Sequence, residues 1–182
     1  MCIRDRLYLS PGQINAIVPY ALAGQKSVQV VVSRFTMSSA AFTLPLQDTS
    51  PGIFTASQSG SGQGAILQQG PNGLFTYNSS DNPAARGTAL EIFATGAGVW
   101  TPPAQSDVFI FGTYFKTHSV SVTIGGQAAK VLYAGTVGTQ STWSLLQVNA
   151  EVPDGVAPGP QPLVLTVGQN SNAQQNVTVA VQ

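Results

Sequence analysis

Apolar side chains recur at every second position along most of this chain. Val28, Val30 and Val32 share one alternation phase, as do Leu90 and Ile92. The same holds for Val120, Val122 and Ile124, for Leu163, Leu165 and Val167, and for Val177, Val179 and Val181. Successive strand side chains point to opposite faces, so each run lays an aliphatic row on one face and a polar or mixed row on the other. Half-buried antiparallel strands read this way. Turn formers separate the runs at Pro11-Gly12, Pro51-Gly52, Pro71-Asn72-Gly73, Pro102-Pro103, Pro153-Asp154-Gly155 and Pro158-Gly159-Pro160. Gly125-Gly126 stands between Val120–Ile124 and residues 128–133, and two residues that tolerate positive φ predict a tight hairpin there. No apolar stripe of helical period runs between these breakers. The predicted fold class is all-β, with short strands packed as sandwiches.

The chain also repeats itself. Gln13-Ile14-Asn15-Ala16-Ile17-Val18-Pro19 matches Gln147-Val148-Asn149-Ala150-Glu151-Val152-Pro153, at an offset of 147 − 13 = 134. Each copy leads through a Gly- or Pro-containing turn into a valine-rich strand (residues 27–32 or 163–167), then a final strand (residues 41–46 or 176–181). The same ending occurring twice predicts two domains, the first represented only by its closing part. The expected division is 7–47 for that part, 48–62 for a linker and 63–182 for a complete sandwich.

Composition narrows the function classes. Charged residues make up 8% of the 182 and hydrophobic residues 43%, so Gly, Ser, Thr, Asn and Gln carry the solubility. The formal net charge is zero, which leaves no basic stripe for a phosphate backbone, and nucleic acid is not an expected partner. No apolar run is long enough to span a bilayer, so membrane insertion is not expected either. Met1-Cys2-Ile3-Arg4-Asp5-Arg6 lacks the alternation seen elsewhere and matches the translation of a sequencing adapter; residues 1–6 are read as an artefact. The single cysteine, Cys2, falls within them, so no disulfide or thiol chemistry is expected.

Several segments in combination resemble a known family. They are Ser10-Pro11-Gly12-Gln13-Ile14-Asn15 with Val18-Pro19-Tyr20; Ser50-Pro51-Gly52-Ile53-Phe54-Thr55; Asn82-Pro83-Ala84-Ala85-Arg86-Gly87; Ala94-Thr95-Gly96-Ala97-Gly98; Val122-Thr123-Ile124-Gly125-Gly126 with Tyr133-Ala134-Gly135; and Gln147-Val148-Asn149 with Val152-Pro153. The chain resembles the uncharacterised C-terminal domain family of secreted Solibacter-type acidobacterial proteins. That resemblance implies tandem immunoglobulin-like β-sandwiches, export to the cell surface or medium, and a place at the C-terminal end of a larger polypeptide whose upstream domains are the first expected partners. It implies no activity.

Candidate chemistry is sparse. His118 is the only histidine, whereas triads and zinc sites need histidine beside other groups, so it reads as a surface residue at a strand start. Ser59-Gly60-Ser61-Gly62-Gln63-Gly64 lacks the strand-before, helix-after context of a phosphate cradle and reads as a flexible inter-domain loop. Asn78, Asp81 and Asn82 offer oxygen atoms but not in EF-hand order, and read as a polar turn. Arg86 is expected to pair with Glu91 or Asp154. The carboxylates are scattered, so neither a catalytic residue, a metal site nor a cofactor is expected, and the chain is read as a non-enzyme. The one segment with functional colour is aromatic: Phe109, Phe111, Tyr114 and Phe115, with Trp100 upstream. Exposed aromatic rows stack on sugars or anchor protein partners, so a glycan or a cell-surface protein is the candidate ligand. Phe109 and Phe111 also share an alternation phase, as core-facing strand residues do. The expected role is a structural spacer; adhesion through the aromatic segment is the alternative.

Overall fold

The computed structural model describes residues 6–70, 72–101, 103, 115–116, 118–137, 145–172, 174 and 176–182, with backbone alone at 6–7 and 115–116. The described chain is all-β apart from one 3-10 turn at Tyr20–Leu22, and it divides into two units at Asp48/Thr49.

The first unit carries β1 (Arg6–Ser10), β2 (Gln13–Ala16), β3 (Ser27–Val30), β4 (Ser33–Arg34), β5 (Met37–Ser38) and β6 (Phe42–Pro45). They form separate two-stranded ribbons: β1 with β2, β3 with β6, and β4 with β5 at the tip of the same hairpin. Pro19 alone is buried among the described side chains of this unit.

The second unit carries β7 (Gly52–Ile53), β8 (Gly62–Gln63), β9 (Ile66–Gln69), β10 (Phe75–Tyr77), β11 (Ala89–Thr95), β12 (Trp100–Thr101), β13 (Phe115–Lys116), β14 (Val120–Ile124), β15 (Gln127–Thr136), β16 (Leu146–Glu151), β17 (Gly159–Val167), β18 (Asn170–Ser171) and β19 (Val177–Val181). All 13 join one curled sheet whose main path runs β10-β9-β11-β16-β15-β14-β17-β19-β8. The curl comes from two long strands that each serve two neighbours. β15 pairs with β14 through residues 127–129 and with β16 through residues 130–136, with a bulge between Val131 and Tyr133. β17 pairs with β19 through residues 159–162 and with β14 through residues 163–167. A bulge re-aims a strand from one face to another, which lets one sheet enclose its own core.

The alternation read from the sequence supplies that core. Leu90, Ile92, Leu146, Val148, Val122, Ile124, Leu163, Leu165, Val167, Val177, Val179 and Val181 are all buried. Burial in β11 and β16 alternates strictly along each strand. Gly125 and Gly126 take φ of 58° and 78° between the paired residues Ile124 and Gln127, a two-residue turn whose positive φ at both positions glycine adopts without strain.

Residues 49–62, expected as a linker, belong to the second unit instead. Thr49, Pro51, Ile53 and Thr55 are buried, β7 pairs with β11, and β8 pairs in parallel with β19. The glycine-rich loop is therefore a sheet edge, with Gly62 N–H donating to Asn176 O (2.9 Å) and Gly64 N–H to Thr178 O (2.8 Å). Small residues mask this in the sequence, because strands this short carry no readable alternation.

The repeat extends to strand pairing. Tyr8 opposes Asn15 as Tyr133 opposes Asn149, and each first strand is bulged just before its tyrosine. The offsets are 133 − 8 = 125 and 149 − 15 = 134, so β1 corresponds to the second half of β15 and β2 to β16. In the next ribbon Ser27, Val28 and Gln29 oppose Pro45, Leu44 and Thr43 as Pro160, Gln161 and Pro162 oppose Ala180, Val179 and Thr178. At the hairpin tips the hydroxyls of Ser33 and Ser38 lie 2.8 Å apart, as do those of Thr166 and Ser171. Val32 N–H donates to Ser39 Oγ as Leu165 N–H donates to Asn172 Oδ1, and Ser39 and Asn172 each donate back at 2.9 Å. Burial does not repeat. Ile14 is 43% exposed and Val18 50%, against 0% and 1% for Val148 and Val152.

Candidate functional site

The aromatic segment has its described ends in the second unit. β12 pairs with β13, Trp100 opposite Lys116 and Thr101 opposite Phe115, and Phe115 also opposes Gly135 of β15. Trp100 is 1% exposed and belongs to the core, so it is not part of an exposed aromatic row. The Phe115 side chain, and Phe109, Phe111 and Tyr114 entirely, lie outside the described residues. The structure thus brings Trp100 and the Phe115 backbone onto neighbouring strands and leaves the remaining members of the candidate site undescribed.

A second aromatic surface was not anticipated. Phe75 and Tyr77 are 45% and 75% exposed on β10, which ends the main path of the sheet, with Leu74 beside them at 64%. The signal was present, since Phe75 and Tyr77 share a phase after the Pro71-Asn72-Gly73 turn. A stretch this short does not reveal which face meets water.

Arg86 is structural, but not through the expected carboxylates. Its Nε donates to Val156 O (2.9 Å) and an Nη to Gln182 O (3.2 Å). The same motif ties down the last strand, with Ala84 N–H donating to Ala180 O and Gln182 N–H donating to Ala84 O, both at 2.9 Å. Glu91 instead accepts from Gln147 Nε2 at 3.1 Å. Partial burial pushes the Glu91 carboxyl up from its ordinary value, and the Gln147 hydrogen bond offsets part of that. Asp154 has no ion pair among the described residues, where Lys130–Glu151 at 3.8 Å is the single salt bridge.

Two neutral amides do what charges do elsewhere. The buried Asn78 accepts from Ala180 N–H (2.9 Å) and donates back to Ala180 O (2.8 Å) through its Nδ2. Its Oδ1 also accepts from Gln63 Nε2 (2.9 Å), and its Nδ2 also donates to Gln68 Oε1 (2.8 Å). Gln174 clasps Ile53 in the same way, accepting from its N–H and donating to its carbonyl at 2.6 Å. Each amide replaces one residue of a missing neighbouring strand. A buried backbone N–H without a partner is costly, so these amides are structural groups rather than ligand donors. Asn82 likewise donates to Tyr77 O (2.7 Å) and Thr76 Oγ1 (3.1 Å), which makes the 78–82 segment a hydrogen-bonded turn.

Two sequence motifs prove to be halves of one joint. Thr95 opposes Gly52, Ser50 N–H donates to Gly96 O at 2.9 Å, and a Cβ on Gly96 would stand 1.8 Å from Ser50 O. His118 precedes β14 as expected and lies partly exposed beside the Gly168 turn. Among the described residues no three His, Cys, Asp or Glu side chains gather as a metal site, and no helix is long and apolar enough to cross a membrane. Comparison with protein-family models, with curated proteins and with solved structures finds no match.

Proposed function

We propose that the chain is a non-catalytic extracellular module of tandem immunoglobulin-like sandwiches, acting as a structural spacer at the C-terminal end of a larger secreted protein. The supporting observation is the recurrence of one strand register in both units, down to the bulge before Tyr8 and Tyr133. Repeating one architecture in series extends a polypeptide without adding chemistry. The sparse charge and the amide-satisfied edges accord with a module whose work is to hold a shape.

The alternative reading is adhesion, and the exposed row of Phe75 and Tyr77 on an edge strand gives it a second basis beside Phe109, Phe111, Tyr114 and Phe115. One experiment separates the two. Phe109, Phe111 and Tyr114 are replaced together by Ser, Phe75 and Tyr77 are replaced by Ser in a second variant, and each is measured by urea denaturation and by retention on immobilised glycans and bacterial cells. The spacer reading expects no retention of the parent chain. Retention that disappears in either variant at unchanged stability overturns it in favour of adhesion.

A further inference from the structure

Among the described residues, nine of the fifteen exposed large apolar side chains lie in the first unit, between Tyr8 and Phe42, and the buried hydrophobic residues other than Pro19 and Pro51 lie at Ile53 or beyond. At several positions the equivalent side chain of the second unit is covered, although Val31 corresponds to Val164, which is exposed as well. Val32 is 49% exposed where Leu165 is 0%, and Phe42 is 66% exposed where Val177 is 2%. The counterparts show what does the covering. β16 is flanked by β11 on the side away from β15, with Ile92 opposite Val148. The last five residues of β17 are flanked by β14, with Val122 opposite Leu165. Among the described residues, no strand takes the β11 place beside β2 or the β14 place beside residues 30–34, and the ribbons β1–β2 and β3–β6 share no hydrogen-bonded sheet.

The hairpin tips carry the same message. Phe35 takes φ 54° at the position where Gly168 takes φ 62°. Gly168 N–H donates to Ser119 O (2.9 Å), and the His118 ring lies 3.4 Å from where a Cβ would stand, so the residues leading into β14 cover that turn. Phe35 is 91% exposed. The positive φ belongs to the two-residue turn between Arg34 and Met37, and the Arg34 guanidinium lies 5.5 Å from the Phe35 ring centroid; among the described residues, no counterpart of the segment that covers the Gly168 turn lies over it.

We propose that the open edges of β2 and of residues 30–34 are a docking site for two antiparallel strands, one of the β11 kind and one of the β14 kind, supplied by a polypeptide segment equivalent to residues 49–130. Added strands gain affinity from main-chain hydrogen bonds and specificity from alternate side chains. The register is fixed by the repeat: the equivalent of Ile92 falls opposite Ile14, and the equivalent of Val122 opposite Val32. The inference shares the repeated register with the spacer reading but is tested by amide protection rather than by retention, so the failure of one is told apart from the failure of the other.

The test replaces residues 1–5 with a second copy of residues 49–130, so that Lys130 of the copy joins Arg6 as it joins Val131 in the natural strand. Amide exchange is then followed in the extended and the original chain, with the second unit of each molecule as internal folding reference. The expected result is exchange at least about 100-fold slower at residues 13–16 and 30–34, approaching that of residues 147–150 and 163–167. Unchanged exchange at those residues overturns the proposal. A cysteine pair checks the register. Val122→Cys in the added copy must crosslink to Val32→Cys and not to Val31→Cys, and equal crosslinking to both overturns it. An original chain that is dimeric, with these amides already protected, shows a second copy as the occupant and overturns the proposal as well.

Discussion

Replacing Asn78 tests whether neutral amides really stand in for missing strand neighbours. Asn78→Ala removes four hydrogen bonds at once, those to both backbone groups of Ala180 and to the side chains of Gln63 and Gln68. They are not equivalent. Ala180 O keeps the bond from Ala84 N–H, and the two glutamines are flexible enough to find other partners. Ala180 N–H loses its Oδ1 acceptor inside the core, and a buried donor left unmade costs about 1–3 kcal/mol. The remaining three bonds, at the low end of about 0.5–1.5 kcal/mol each, bring the total to about 3 kcal/mol. With a urea slope of about 1.5 kcal/mol/M, the midpoint should fall by about 2 M. Tryptophan fluorescence is a suitable readout, because Trp100 is buried in the same unit. Water entering the vacated space would soften the loss, so Asn78→Leu is the sharper variant: it fills the volume, bars water and should cost at least as much. Losses below about 1 kcal/mol in both variants would refute the idea that this amide substitutes for a strand.

Further expectations follow from other contacts. Gly96→Ala should cost at least about 3 kcal/mol, read as lost urea stability, because its Cβ would meet Ser50 O at a φ of 77°. Leu165→Ala should cost about 2–5 kcal/mol and the equivalent Val32→Ala no more than about 0.5 kcal/mol, measured the same way, since only the first is covered. Glu91 should make stability weakly dependent on pH. Its folded carboxyl titrates above its unfolded value, so the folded state binds the proton more tightly and stability is lost as pH rises through the unfolded value to the folded one. Glu91→Gln should therefore match the parent at about pH 3 and exceed it at neutral pH in paired urea titrations.

Strand type was legible wherever a run was long enough to show its phase. Leu90 and Ile92, or Leu163, Leu165 and Val167, announce a buried face because period two admits one reading. The Gly125-Gly126 turn was legible for a similarly local reason. What stayed hidden depends on partners far along the chain. Ser50-Pro51-Gly52 reads as a joint until Gly96 is seen against it, and Asn78 reads as a turn residue until Ala180 is found at its amide. The equivalence of β1 with half of β15 was obscured because Leu-Tyr at 7–8 and 132–133 is the only shared pair; pairing register, not side-chain identity, reveals it. The aromatic segment was visible as composition, but its role depends on burial, which alternation alone does not set. Trp100 shows how easily a ring that invites a ligand reading goes to the core.

The scarcity of ion pairs among the described residues has a consequence for the conditions the fold withstands. Screening by salt acts on charges, and protonation acts on carboxylates and histidines. Here the described residues hold one surface ion pair, while Asn78 and Gln174 secure their strands with groups that do not titrate. Brine, fresh water and mild acid should leave the urea midpoint almost where it was, apart from the small contribution of Glu91. A polypeptide built this way carries its tolerance of salt and mild acid in its side-chain amides.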